Sequence, residues 1–318
     1  MNNYKRLLVM LLVASALFLT ACSDSNKSND KDKEAKGEEP KQEKSIEIKD
    51  ELGTVKLKDK PKNIVVLEYS FADAVKNLGS TPVGIADDNK KEIIKKLYGE
   101  EVKYTSVGTR KQPNLESISS LKPDLIIADV QRHKGIYEDL KKIAPTMILK
   151  SREASFDDVN ASFEKVATAM GKEDEGKKML DDLEDKLKEA KSKNEKASNK
   201  DEKVMIAVAR EDAFQAHTSH SYVGQLLEKM GMKNAIESNK AYEEVNLETL
   251  SKVNSDKLII TSDKDKPITD EWKNKELWKE LSAYKKGQIQ EVDRDYWTRF
   301  RGFKANEYIM KDVEKNNK

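Results

Sequence analysis

Lysine outnumbers arginine 51 to 8 in this chain, so its arginines can be considered one by one. Arg6 lies in an N-terminal leader; the others are Arg110, Arg132, Arg152, Arg210, Arg294, Arg299 and Arg301. Arg110 follows the run Tyr104-Thr105-Ser106-Val107 and Arg132 follows an apolar run ending near Asp129. Arg210 ends the run Val204–Val208, and Arg294, Arg299 and Arg301 follow Ile289–Val292. If these runs are strands, six of the seven lie beyond strand carboxyl ends, where open α/β sheets place their binding crevices. Guanidinium offers a planar bidentate fork to carboxylate or phosphate, and lysine ammonium does not. The set therefore predicts a site for a polycarboxylate or phosphate ligand. Arg152 reads as structural, and Asp293 and Asp295 around Arg294 suit a local ion-pair cluster.

The histidines are His133, His217 and His220. Imidazole is a common metal ligand, but His133 and His217 lie among cationic side chains that repel a bare cation. His217 is better employed donating a hydrogen bond to the same anion as the arginines, and His220 is assigned to the surface or to support. Tyr222, Tyr242 and Trp297 are candidates for the cleft wall or for ordinary packing. Walker, Gly-x-Ser-x-Gly, His-Glu-x-x-His and Gly-x-Gly-x-x-Gly motifs are missing. An enzyme acting on a small polycarboxylate would need a base among the arginines, with His217 as its candidate. A binding protein needs none.

The elements that position these residues follow from hydrophobic pattern. Residues 1–21 combine Lys5 and Arg6 with an apolar run from Leu7 to Leu19 that is short for a membrane span, so they read as a secretory signal. Leu19-Thr20-Ala21-Cys22 ends it, and residues 22–44 are polar enough to form a flexible tether. Ile46, Ile48, Val55 and Leu57 alternate around Leu52-Gly53, predicting a hairpin. Ile64–Leu67, Val83–Ala86, Leu125–Ala128 and Met147–Leu149 are unalternating apolar runs, as expected of strands buried on both faces. They predict a parallel-rich α/β lobe over 45–152. Val204–Val208, Leu258–Ile260 and Ile289–Val292 predict a second over 172–318, with an exposed loop near 191–202. Between them, Ser155-Phe156-Asp157-Asp158 resembles a capping box. Phe156, Val159, Phe163, Val166 and Met170 then recur at helical spacing, predicting one bridging helix within 153–171.

An internal echo supports paired lobes. Asn114-Leu115-Glu116 precedes Asp124 and Ile126-Ile127 as Asn246-Leu247-Glu248 precedes Asp256 and Leu258–Ile260, with eight positions from glutamate to aspartate in each copy. The 59 basic and 58 acidic residues nearly cancel, which argues against nucleic-acid binding through a global basic field. Cys22 is the one cysteine, so neither a disulfide framework nor a cysteine-built zinc site can form.

Several segments resemble Gram-positive ferric-siderophore-binding lipoproteins of ABC importers. They are the Leu-Thr-Ala-Cys22 lipobox, Val107–Glu116, Lys122–Asp129, Gln131–Lys134, Ala216-His217, Ser221–Gln225 and Val292–Gly302. The similarity is strongest to the ferric citrate and staphyloferrin A receptor branch and covers nearly all of 45–318. It implies a two-lobed periplasmic-binding fold joined by a single long α-helix. It implies ligand contacts from Arg110 and Arg132 in the first lobe and from His217, Arg294, Arg299 and Arg301 in the second. Arg210 stands where the staphyloferrin A receptor has a lysine, and Glu92 where that receptor has an arginine. Losing one cation leaves ferric citrate or another citrate-type chelate as the expected ligand, with iron bound through the chelator and no separate cofactor. Haem, cobalamin and catecholate receptors would favour a more apolar or aromatic cleft. The resemblance further implies lipidation of Cys22, attachment to the outer face of the cell membrane, and a monomer. Glu116 and Glu248 would dock onto an ABC permease served by its ATPase.

Overall fold

Residues 45–262 and 266–316 are described by the computed structural model. The signal, the tether and Cys22 lie outside them. The alternation at the start of the body forms the expected hairpin, β1 (Ile46–Lys49) paired antiparallel with β2 (Thr54–Leu57). The Asp50 carboxylate closes its turn by accepting the Leu52 and Gly53 N–H groups at 2.9 and 2.7 Å. Ile48, Val55 and Leu57 are buried.

The first sheet comprises β3 (Ile64–Val66), β4 (Gly84–Ile85), β5 (Thr105–Ser106), β6 (Leu125–Asp129) and β7 (Thr146–Leu149). Its order is β5-β4-β3-β6-β7 with every pairing parallel. The connections carry α1 (Tyr69–Asn77), α2 (Lys91–Tyr98), α3 (Leu115–Ser120), α4 (Val130–His133) and α5 (Tyr137–Ile143). Helices cover both faces, which explains strands without polar alternation. Val65, Ile126, Ala128 and Ile148 pack into one core, and Ile64, Val66, Ile127 and Leu149 face another. The strand order reverses between β3 and β6, and that switch point opens a crevice at the carboxyl ends.

Two helices lie between β7 and the second sheet: α6 (Phe156–Ala169) and α7 (Glu173–Asn194). Ser155 and Asp158 form the reciprocal capping box at the start of α6. This helix packs against α1 and β1 on one side and against α7 and α8 (Tyr222–Lys229) on another. The loop expected near 191–202 begins later, because helix α7 continues through Asn194.

The second sheet contains β8 (Lys203–Ala209), β9 (Phe214–His217), β10 (Lys233–Asn234), β11 (Tyr242–Glu244), β12 (Lys257–Ser262) and β13 (Ile289–Glu291). β12 runs parallel to both β8 and β13, whereas β9 is antiparallel to β8 and β11 to β9. Strands β9 and β11 escape the sequence reading, being too short and too polar to present an apolar run. Around them stand α9 (Leu247–Val253), α10 (Ile268–Trp272), α11 (Glu276–Lys279), α12 (Ser282–Lys285) and the C-terminal α13 (Phe303–Asn316). One continuous core takes residues from both sheets and from α1, α6, α7, α8 and α13. Within it Phe163 meets Phe303 edge to face, with ring centroids 4.8 Å apart. The two halves thus share buried surface, which opposes wide hinge opening.

The sequence echo is structural. Asn114 caps α3 by accepting from Ser117 N–H, and Asn246 caps α9 by accepting from Thr249 N–H. The chain leaves each helix through a non-glycine residue with φ of +46°, Lys122 just beyond the cap of α3 and Asn254 at the cap of α9. Asp124 then accepts the Lys62 and Asn63 N–H groups before β3, as Asp256 accepts Lys203 N–H at the start of β8. Glu116 and Glu248 stand exposed on the first turns of these matched helices.

Candidate functional site

One cleft of about 180 Å³ is lined by all seven arginines of the body together with His217, Tyr242, Gln215, Thr298 and Val208. Every ligand-contact candidate named from the sequence, Arg110, Arg132, Arg210, His217, Arg294, Arg299 and Arg301, lies in this lining. Arg152, read from the sequence as structural, also lies in the lining, with its Nε paired to the neighbouring Glu153 at 3.1 Å. It follows β7 just as Arg132 follows β6. A larger groove of about 760 Å³ between α7 and α13 is walled by Met179, Leu183, Met310 and by Lys and Glu side chains. It lies away from the strand ends and gathers no guanidinium groups.

In the first half, short polar contacts aim the arginines. Gly108, at φ of +90°, allows the chain after β5 to fold back so that Asn114 N–H meets the Val107 carbonyl at 2.8 Å. Arg110 sits at the tip of that loop. Asp88 accepts its backbone N–H at 2.8 Å and its Nη2 at 2.6 Å, and the guanidinium lies 3.9 Å above the Tyr69 ring. His133 braces the loop from below: its Nδ1 accepts Asp129 N–H, so its Nε2 donates to the Arg110 carbonyl at 2.8 Å. Burial lowers the His133 pKa and keeps this ring neutral. The buried Asp129 accepts backbone N–H groups from Arg132, Ser151 and Arg152, so one carboxylate positions two of the arginines.

In the second half the cleft wall is a strand face. Met205, Ala207 and Ala209 of β8 enter the outer core while Val204 and Ile206 enter the shared one. The same period of two carries Val208 and Arg210 into the cleft. Gln215 and His217 on β9 and Tyr242 on β11 continue that face, Gln215 paired with Val208 and His217 with Tyr242. A π-helical turn over Asp295–Arg299 follows β13, its first bonded carbonyl meeting Phe300 N–H at 2.7 Å. Phe300 is buried against Tyr69, which fixes Arg299 and Arg301 on either side of it.

Asp293 and Asp295 do form ion pairs, but mainly with Lys96 of α2, at 2.5 and 2.8 Å, and Asp295 also with Arg299. Arg294 is turned into the cleft. Gly302, at φ of +113°, passes so close to α1 that a Cβ there would fall 2.4 Å from Asp73 Oδ2. Asp73 accepts the Phe303 and Lys304 N–H groups that begin α13. Trp297 is not a wall residue: it is 2 % exposed and donates its indole N–H to Asp312 at 3.0 Å. Tyr222 is buried likewise, bonded to Asn306 and Gly302. His220 and Glu92 are exposed outside the lining.

The lining carries no carboxylate. The counter-ions stand behind it: Glu68 contacts Arg110 and Arg132, Asp88 pairs with Arg110, and Asp295 with Arg299. Burial opposes the charge on Arg110, but the Glu68 charge and the Asp88 hydrogen bond outweigh it and raise its pKa. Arg294 is held down to about 10 by burial and by the Arg299 and Arg210 charges. Burial, then Arg301, Arg294 and Arg210, hold His217 down to about 3, so its ring is neutral at physiological pH. Its buried Nδ1 has no hydrogen-bond partner. Sequence reasoning missed Glu68 and Asp88, although each stands just beyond the apolar run of β3 or β4, as the arginines do beyond theirs. Among the described residues no group of three or more His, Cys, Asp or Glu side chains could hold a metal ion. The arrangement can bind a multiply charged anion through forked hydrogen bonds.

Comparison with known proteins agrees with this architecture. The chain is 49% identical, over 99% of its length and 98% of the relative's, to the Fe(3+)-citrate-binding protein YfmC of Bacillus subtilis. It is 36% identical to the putative ABC transporter substrate-binding lipoprotein YhfQ of the same organism, covering 98% of each. The crystal structure of Staphylococcus aureus SirA complexed with staphyloferrin B superposes with a TM-score of 0.73 at 29% identity, over 85% of this chain and 97% of that one. The periplasmic binding protein model matches residues 64–296, and the chain belongs to that family.

Proposed function

We propose that this chain is the substrate-binding component of an ABC importer that captures an anionic ferric chelate, ferric citrate or a citrate-based siderophore, for iron uptake. The observation that carries the reading is the convergence of seven arginines on one cleft whose lining has no carboxylate. In a ferric citrate complex, carboxylate and hydroxyl oxygens already enclose the iron. The protein therefore has to recognise the anionic exterior and need not supply metal ligands. Forked guanidinium groups suit that task, and cations lining both walls of a cleft focus its field and speed capture of a scarce anion. The name of the 49% identical relative points to the same ligand. Haem and catecholate chelates fit less well, since Val208 is the lone aliphatic side chain in the lining. The relatives are binding proteins, and the reading entails no turnover.

The lipidated Cys22 would tether a monomer to the outer face of the cell membrane, and exposed Glu116 and Glu248, one on each matched helix, would dock onto the permease. Calorimetric titration with ferric citrate, ferric staphyloferrin A, a ferric hydroxamate and a ferric catecholate tests the ligand class. Saturable binding confined to the carboxylate chelates is expected. Preference for the hydroxamate or catecholate would refute it.

A further inference from the structure

Glu68 stands behind the cleft wall immediately after β3, with its side chain 2 % exposed. Charged groups from several elements face it. Arg110, on the loop after β5, reaches Oε2 at 3.4 Å, and Arg132 of α4 places Nε 2.5 Å from Oε1. Asp129 at the end of β6 opposes its charge, and Arg301 favours it from the other half. The Arg132 contact is close yet poorly aligned: neither its Nε nor Glu68 Oε1 has a hydrogen-bond partner. The carboxylate thus sits where an anion is wanted, between two guanidinium groups, without satisfying both of its own oxygens.

We propose that Glu68 is an internal stand-in for a ligand carboxylate: it holds Arg110 and Arg132 until a ligand arrives, yields them to an entering anionic chelate, and takes up one proton from solvent. The inference rests on the anionic-chelate reading above and deepens it. Once ligand carboxylates engage Arg110 and Arg132, an ionised Glu68 would be buried against fresh negative charge with its ion pairs weakened. Burial already raises its pKa against the lowering pull of Arg110 and Arg132, so removing part of that pull favours the acid form. Oε1, which has no hydrogen-bond partner, is free to carry that proton while Oε2 stays an acceptor beside Arg110. His217 is not the proton source, being neutral and deprotonated at Nδ1 or Nε2 already. Glu68 is therefore a positioning residue that couples binding to pH without touching iron.

The test is calorimetric titration of the wild type and Glu68→Gln with ferric citrate across about pH 5.5 to 8, in two buffers of different ionisation enthalpy. Using one ligand for both proteins cancels its own titration. The wild type is expected to take up about one more proton per ligand than the variant, and its affinity relative to the variant to fall by up to about tenfold per pH unit as pH rises. Equal proton uptake and a pH-independent affinity ratio would overturn the proposal. Should Glu68→Gln fail to fold, infrared difference spectra of the wild type with and without ferric citrate report the same proton. A carboxylic acid band that appears on binding and shifts in Glu68→Asp supports the proposal, and absence of any such band refutes it. Failure of both proteins to bind ferric citrate at any pH would instead refute the ferric-citrate reading, and this inference with it.

Discussion

Arg301 offers the most direct test of the proposed anion cleft. It is partly buried between the two halves, its Nη2 donates to the Tyr242 hydroxyl at 2.9 Å, and its charge acts on both Glu68 and His217. A hydrogen bond to a charged group contributes about 1.5–3 kcal/mol, and the fork can supply two. Arg301→Ala removes at least one such bond, so the lower bound is about 1.5 kcal/mol, roughly tenfold in Kd. Water can enter the open cleft and solvate the ligand oxygen left behind, which limits the loss to about 3 kcal/mol, roughly 150-fold. Arg301→Lys keeps the charge but not the fork, and is expected to fall between wild type and alanine. Calorimetric titration with ferric citrate gives the three constants, and thermal unfolding of each variant confirms that the fold is intact. The slope of log Kd against log salt should also decrease in the alanine variant. A folded Arg301→Ala protein binding within about twofold of wild type would refute the guanidinium-fork account.

Other expectations follow from particular contacts. Gly302→Ala must strain a backbone at φ of +113° and displace Asp73 from the start of α13; a loss of about 2–4 kcal/mol in chemical denaturation is expected, and less than about 1 would show that this junction is loose. His217 should show no imidazole titration by NMR above pH 5, since burial and three arginines hold it at about 3; a midpoint near the ordinary value refutes this. Because the unfolded ring titrates near 6.5, its contribution to stability is complete above that pH and is lost as pH falls towards 3, a component of acid sensitivity that His217→Gln should remove. Glu116→Ala combined with Glu248→Ala should leave ferric citrate affinity unchanged and abolish cellular iron uptake; retained uptake would remove these two residues from permease docking.

Much of the architecture is legible in local pattern because buried strands and capped helices have short-range signatures. Ile64–Leu67 and Leu125–Ala128 announce a doubly covered sheet, and Ser155 with Asp158 announces the start of α6. The Asn-Leu-Glu echo also survives into three dimensions, down to the matching left-handed residues Lys122 and Asn254. Polar strands carry no such signature. Phe214–His217 and Tyr242–Glu244 become strands through pairing with β8 and with each other, a long-range event that a short window of sequence does not encode. The position of His217 on the cleft face therefore depends on register and not on composition.

Residue type and placement after apolar runs were enough, from the sequence by itself, to single out the arginines that line the cleft and to set a multiply charged anion as the expected ligand. Tertiary structure decided how those charges are balanced. Glu68, Asp88 and Asp295 stand behind the guanidinium groups, Arg152 joins the lining, and Trp297 withdraws into the core. The reason is physical: which group is buried, and which partner lies within a few ångströms, depends on strand order and on the crossing of two sheets. In a chain with nearly equal acid and base, those distances and not the composition determine where unbalanced positive charge remains.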